Sequence, residues 1–175
     1  VDRSRGLGDV YKRQEVDLDV DARSISFFDA PGSSSMEQIS NELRYSGSLT
    51  DKLDITSGLF MYEGDVMVWD NRALRGALYA AAGSPGIYLW QSGGGLHNVE
   101  QTALFTTLDY AVSDDLSLNI GFRLTDEEKE IHLASINRNV SVGASPPCSV
   151  PAGTCPFDYI DNDSWKTTSP KIGFT

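Results

Sequence analysis

Over residues 116–125 apolar and polar side chains alternate without a break: Leu116, Leu118, Ile120, Phe122 and Leu124 against Ser117, Asn119, Gly121, Arg123 and Thr125. A period of two is the spacing of a β-strand, whose successive side chains point to opposite faces; a helix needs a period of 3.6. The segment is therefore a strand with one apolar and one wet face, and something must cover the apolar one. The same pattern recurs. In residues 36–49 the odd positions Ile39, Leu43, Tyr45 and Leu49 are mostly apolar, and the even positions Gln38, Ser40, Glu42, Arg44, Ser46 and Ser48 are all polar. Residues 53–62 place Leu53, Ile55, Leu59 and Met61 on one face, and residues 102–112 set Leu104, Leu108, Tyr110 and Val112 against Ala103, Thr107 and Asp109. A last strand is predicted over 164–175, with Ile172 and Phe174 opposite Lys171 and Gly173.

The connections between these strands alternate in length. Thr50-Asp51-Lys52 and Ser113-Asp114-Asp115 are short polar turns that join antiparallel hairpins. The connections at about 63–100 and 132–163 are long and rich in Gly, Ser, Pro and Asn, and within the first the run NRALRGALYAAA (71–82) predicts a short helix. Connections this long are uncommon in compact soluble domains. Short turns at one end and long loops at the other are what an outer-membrane β-barrel requires. Glu42, Arg44, Asn119 and Arg123 would then line a polar lumen. Alternation alone fits a soluble sandwich too; the asymmetry of the loops favours the barrel. The expected fold is all-β: a curved antiparallel up-and-down sheet, a partial transmembrane β-barrel of five or six strands with long outer loops. Leu118, Ile120 and Phe122 are expected on its convex side.

Composition does not oppose this. Hydrophobic residues make up 40% of the 175, too many for a disordered chain. No run approaches the roughly 18 apolar residues of a spanning helix, but a barrel strand needs only about 9–11, of which alternate ones face lipid. The net charge of -11, with scattered basic residues, argues against a nucleic-acid partner.

Residues 1–14, VDRSRGLGDVYKRQ, differ from the rest. They are basic, lack strand alternation, and read as a non-native linker or adapter-derived segment, which leaves 15–175 for the fold. Setting aside their four basic and two acidic residues takes the net charge from -11 to -13. With no initiator Met, and with the pattern still running at Phe174-Thr175, the sequence reads as a fragment. Cys148 and Cys155 bracket SVPAGT, whose Pro151 and Gly153 suit a tight closed loop. A structural disulfide of an exported protein is the expectation; a metal site is not, because no His or second Cys pair is near in sequence.

Three stretches carry a family resemblance. ISNELRYSGSLTDKLDITSGLFMYEGD (39–65) resembles the barrel motif of TonB-dependent receptors, in which a Glu-Leu-Arg strand turns into a Leu-Asp-x-x-x-Gly strand. TALFTTLDYAVSDDLSLNIGFRLTDEEKE (102–130) resembles another stretch of the same barrels, and SWKTTSPKIGFT (164–175) the strand that follows it there. Order and spacing agree across roughly residues 36–175. The resemblance implies a bacterial outer-membrane location and uptake of a scarce nutrient, such as an iron–siderophore, cobalamin or an oligosaccharide. The ligand would be caught by outer loops and lumen residues, with energy relayed by the TonB complex to a plug domain that this chain does not contain. It implies no enzyme activity, no catalytic residue and no cofactor. Five or six strands cannot close such a barrel, which has about 22. The competing expectations are a porin-type outer-membrane barrel and a secreted β-sandwich that binds carbohydrate.

Other motifs read as structural. Asp17-x-Asp19-x-Asp21 has the carboxylate spacing of a calcium loop, but Ala22 stands at the glycine position and Phe28 at the glutamate position. The run Thr125-Asp126-Glu127-Glu128-Lys129-Glu130 reads as a solvated strand end. Ser92-Gly93-Gly94-Gly95 reads as a flexible loop, and Gly6-Leu7-Gly8 lacks the strand–helix context of a phosphate cradle. His97 and His132 have no partner at ligand spacing. The aromatics Trp69, Tyr79, Tyr88 and Trp90 of the first long connection could stack on a planar ligand or a sugar, but packing at a barrel rim is the simpler reading. The transported ligand and the residues that touch it are not readable from these motifs.

Overall fold

The computed structural model describes residues 2–18, 20, 28–75, 87–142 and 145–175. They form one antiparallel sheet of seven strands: β1 (Asp2–Val16), β2 (Phe28–Asp29), β3 (Gly32–Thr50), β4 (Leu53–Arg75), β5 (Ile87–Ser113), β6 (Leu116–Val142) and β7 (Phe157–Phe174). The spatial order is β1-β3-β4-β5-β6-β7, with the two-residue β2 continuing beside β4 beyond the start of β3. Every strand pairs with its neighbour in sequence along this path, so the topology is up-and-down. The sheet is open, with β1 and β7 at its edges. No helix is present among the described residues, and none is long and apolar enough to cross a membrane.

The hairpin turns fall where the sequence places them, at 51–52 and 114–115. Both lie at one end of the sheet, here its lower end; the strand ends Val16 and Gly32, Arg75 and Ile87, and Val142 and Phe157 lie at the other. The length asymmetry holds, but the long connections are much shorter than expected. β4 runs through Arg75 and β5 begins at Ile87, while β6 reaches Val142 and β7 starts at Phe157 rather than at 164. Ser92-Gly93-Gly94-Gly95 is strand, not loop: it pairs with Val68–Asn71 on one side and residues 133–137 on the other, with a bulge between Ser92 and Gly94. Strand formation there comes from backbone hydrogen bonds to two flanking strands, a context that local composition does not carry. The helix expected over 71–82 is replaced over 71–75 by β4; residues 76–82 lie outside those described.

The N-terminal run also enters the sheet. Asp2–Val16 forms β1, in continuous register with β3 from Asp2↔Ser46 to Val16↔Gly32, despite its lack of alternation. An edge strand is held by one ladder of main-chain bonds, which asks little of its side chains.

Opposite residues in an antiparallel pair share a face, so the registers assign each side chain to one side of the sheet. One side carries rows of apolar residues near the lower end. Leu43, Leu59, Leu104 and Leu124 form a single row across β3, β4, β5 and β6, each between 37% and 57% exposed. Below it lie Ile55, Leu108, Ile120 and Ile172, then Leu53, Tyr110, Leu118 and Phe174. Ser57 and Thr106 interrupt these rows, and their hydroxyls hydrogen-bond each other at 2.6 Å. Above the band comes a belt of carboxylates, including the row Glu63, Glu100 and Glu128.

Among the described residues there is almost no core. The largest fully buried side chains are Asn71 and Ser92, joined by a 2.6 Å hydrogen bond from the serine hydroxyl to the amide oxygen. A small apolar cluster sits at the upper end, above the acidic belt. There Cys148 and Cys155 are disulfide-bonded, and with Val150 and Ala134 they pack against Met67, Trp69 and Phe157. The β6–β7 connection thus folds back over the same side of the sheet that carries the leucine row. Its own turn is closed by Gly153 N–H donating to the Val150 carbonyl and by Thr154 N–H donating to Ser149, with Gly153 at φ 65°.

Candidate functional site

The other side of the sheet holds the polar side chains, and they are the better connected. Glu42, Arg44, Asn119 and Arg123 all fall on it, as the alternation requires. Arg44, Gly58, Phe105 and Arg123 form one row and Glu42, Phe60, Ala103 and Thr125 the next. The small residues Gly58 and Ala103 leave space, and the rings lean into it diagonally. Phe105 reaches toward β3, where the Arg44 guanidinium lies 5.9 Å from its centroid; Phe60 supports Arg123 at 5.4 Å. Each such contact contributes roughly 0.5–1 kcal/mol at an exposed site. Arg44 also pairs with Glu42 at 2.6 Å. Arg123 donates to Thr125 Oγ1 at 3.2 Å and to Gln101 Oε1 at 3.5 Å.

The network continues upward. Gln101 donates to Glu127 at 3.4 Å, and Glu127 accepts from Lys129 at 2.5 Å. Lys129 in turn lies 5.4 Å from the Trp165 ring of β7. The Lys129 ammonium, through its hydrogen bond and its charge, holds the Glu127 carboxyl below the ordinary glutamate value. Tyr62 donates to Gln38 across β4 and β3 at 3.4 Å. At the lower end Asn119 donates to Asp109 at 2.5 Å.

The structure separates other residues that the sequence put forward. His97 lies on the polar side of β5, whereas His132 lies on the opposite side of β6, paired with Glu130 at 2.5 Å and edge-on to Phe157 at 5.4 Å. Two histidines on opposite sides of one sheet cannot share an ion, and no metal-holding cluster exists among the described residues. The run Thr125–Glu130 is split by the strand period: Asp126, Glu128 and Glu130 join the exposed acidic belt, while Glu127 and Lys129 join the polar network. Gly6-Leu7-Gly8 is extended strand within β1. Asp17 follows β1, but Asp19, Asp21 and Ala22 lie outside the described residues, as does Tyr79. Trp69 and Trp90 sit on the apolar side of the upper end, each with its indole nitrogen buried and unpartnered, and Tyr88 falls within β5. Tyr159 falls in 157–163, which the sequence pattern assigns to a loop, and extending the period of two upstream from 164 is the signal that places it; Trp165 lies within the expected strand, but nothing in that strand's pattern marks it.

No family model, no curated protein and no solved structure matches this chain.

Proposed function

We propose that this chain is a stretch of outer-membrane β-barrel wall, belonging to a receptor that takes up a scarce nutrient with energy delivered through TonB. The observation that carries the wall reading is the exposed leucine row Leu43, Leu59, Leu104 and Leu124, set back to back with a hydrogen-bonded polar network. In water this arrangement is inverted: the apolar side is bare and the charged side is the more covered. Against lipid it is the expected one. On β5 and β6 the apolar band spans residues 104–112 and 116–124, nine residues each, which is the length a barrel strand needs to cross a bilayer. The one polar pair inside the band, Ser57 and Thr106, satisfies itself, as the absence of water demands. Strands of 19 to 27 residues are also far beyond the 3–10 usual in globular proteins.

A secreted sandwich needs a second layer over these rows, and the described residues supply none. The receptor part of the reading, with its small nutrient ligand and its TonB relay through a plug domain, rests on the three barrel motifs at 39–65, 102–130 and 164–175. A porin-type barrel shares the wall but not those motifs.

The test is photolabelling of the full chain refolded into liposomes that carry a membrane-embedded diazirine. Label on Leu104, Leu108, Ile120 and Phe122, and none on Arg123, Thr125 or Thr167, is the expected map. A chain that folds to a monodisperse sheet without detergent and takes up no label sinks the reading.

A further inference from the structure

Strand β7 presents four chemically related side chains on the polar side of the sheet at a spacing of two: Tyr159, Asp161, Asp163 and Trp165. The two rings are 51% and 44% exposed, like nearly every residue of this edge strand. Six residues of extended strand separate them by about 20 Å. Between them stand two solvent-facing carboxylates, each already fixed in orientation. Asp161 accepts the Tyr159 hydroxyl at 2.7 Å and its neighbour's main-chain N–H at 3.0 Å; Asp163 accepts the Ser164 N–H at 2.8 Å. Trp165 is set by Lys129, whose ammonium lies 5.4 Å from the ring and is itself held by Glu127 at 2.5 Å. The neighbouring strand places Leu133 and Ile131 beside Tyr159 and Asp161, so the strip is not crowded by a competing charge there.

We propose that this strip binds a neutral oligosaccharide running along β7, with Trp165 and Tyr159 stacking on sugar rings and Asp161 and Asp163 accepting hydroxyl hydrogen bonds. It rests on the reading of the polar side as a lumen wall and assigns the ligand class to it. The chemistry is specific in three respects. A pyranose offers an apolar C–H face and hydroxyls around its ring, so it is held by aromatic faces with hydrogen-bond acceptors between them. Carboxylates that have spent part of their capacity on main-chain N–H groups are pre-organised acceptors, which lowers the ordering cost of binding. The 20 Å between the rings fits a chain of several sugars rather than one. An anionic ligand is disfavoured by Asp161 and Asp163.

The experiment is calorimetric titration of the full chain, folded in detergent micelles, with maltohexaose, cellohexaose and chitohexaose, each beside its monosaccharide. Saturable binding of at least one hexasaccharide and not of its monosaccharide is expected. Tyr159→Ala and Trp165→Ala should each weaken it tenfold or more, and Asp161→Asn together with Asp163→Asn by a similar factor. Tyr110→Ala, on the apolar side, should leave it unchanged. Circular dichroism of each variant checks that the sheet is intact, and Trp165→Phe, which keeps a ring, should retain most of the binding if the loss in Trp165→Ala is local. No binding of any hexasaccharide by the folded chain, or binding indifferent to both aromatic substitutions, overturns the proposal. Liposome flotation of the same preparations reports on the wall reading separately. A chain that floats but binds no sugar loses the ligand assignment alone, and a chain that binds sugar but stays in the aqueous phase loses the wall.

Discussion

The ring of Phe105 on β5 lies over Gly58 on β4, and past that glycine the Arg44 guanidinium sits 5.9 Å from the ring centroid. A Cβ at Gly58 would stand 2.8 Å from the Leu43 carbonyl oxygen and would collide with the ring. Glycine is there for space, and the aromatic fills it, so that three strands are joined on the polar side by one diagonal contact. Gly58→Ala should therefore displace Phe105 and release Arg44, costing about 1–3 kcal/mol in a denaturant titration. Phe105→Leu made on top of Gly58→Ala should recover part of the loss. Additive losses in that double-mutant cycle would show that the two residues are not coupled.

A sharper consequence concerns Ile120, at the middle of the apolar band on β6 and 45% exposed. Facing water, Ile120→Arg would be an ordinary surface change within about 0.5 kcal/mol. Facing the middle of a bilayer, it should cost about 2–4 kcal/mol. Thr167→Arg, on the polar side of β7, serves as the control and should be near neutral in either case. Equal stabilities of the two variants in liposomes would place Ile120 in water.

The alternation of residues 116–125 was sufficient to place those side chains on their sides, and the turns at 51–52 and 114–115 were legible because a short polar run separates two alternating segments at each. Strand length was not legible. Residues 63–75 and 87–101 mix Gly, Asp, Val and Trp without a clean period, yet both are strand, because each is clamped by a partner whose own text is equally irregular. β1 shows the extreme case: a basic, unpatterned run held entirely by the β3 main chain. Pairing between strands distant in sequence is a tertiary effect, and a one-dimensional pattern records only its side-chain half. The polar network was visible at Arg44 and Arg123, whose positions follow from parity. Its aromatic supports were not, since Phe60 and Phe105 interrupt the wet side of their strands and look like errors of register until Gly58 and Ala103 are seen opposite them.

The pairing of Glu127 with Lys129 should give the upper polar side a mild acid sensitivity. The carboxyl is held below its ordinary value of 4.5 chiefly by the lysine hydrogen bond, which outweighs the opposing effect of desolvation; the lysine charge and Gln101 add to the lowering. A folded-state value depressed in this way contributes stability that is fully present above about 4.5 and disappears as pH falls through the depressed value. An exposed pair of this kind is worth at most about 1 kcal/mol. Lys129→Met should therefore be less stable than the parent at pH 7, and the gap should close below the ordinary glutamate value. A carbon-detected NMR titration of Glu127 should move upward toward 4.5 in the variant. An unchanged midpoint would mean that Lys129 does not set it.

The Cys148–Cys155 bond closes a short loop, and Trp69 packs against the apolar cluster that this loop forms with Ala134. Closing a loop of this length restricts the unfolded chain by about 2–3 kcal/mol in the chain-entropy picture. The effect should be local, because the cluster of Cys148, Val150, Cys155 and Ala134 lies beyond the acidic belt, away from the leucine row. In a protein carrying Trp90→Phe and Trp165→Phe, so that Trp69 alone emits, replacing both cysteines by alanine should shift emission to the red and raise quenching by iodide. The diazirine label on residues 104–124 should stay as before. If the label pattern collapses together with the emission shift, the upper cluster is structurally continuous with the apolar band, and the loop steadies the whole sheet rather than capping its upper end.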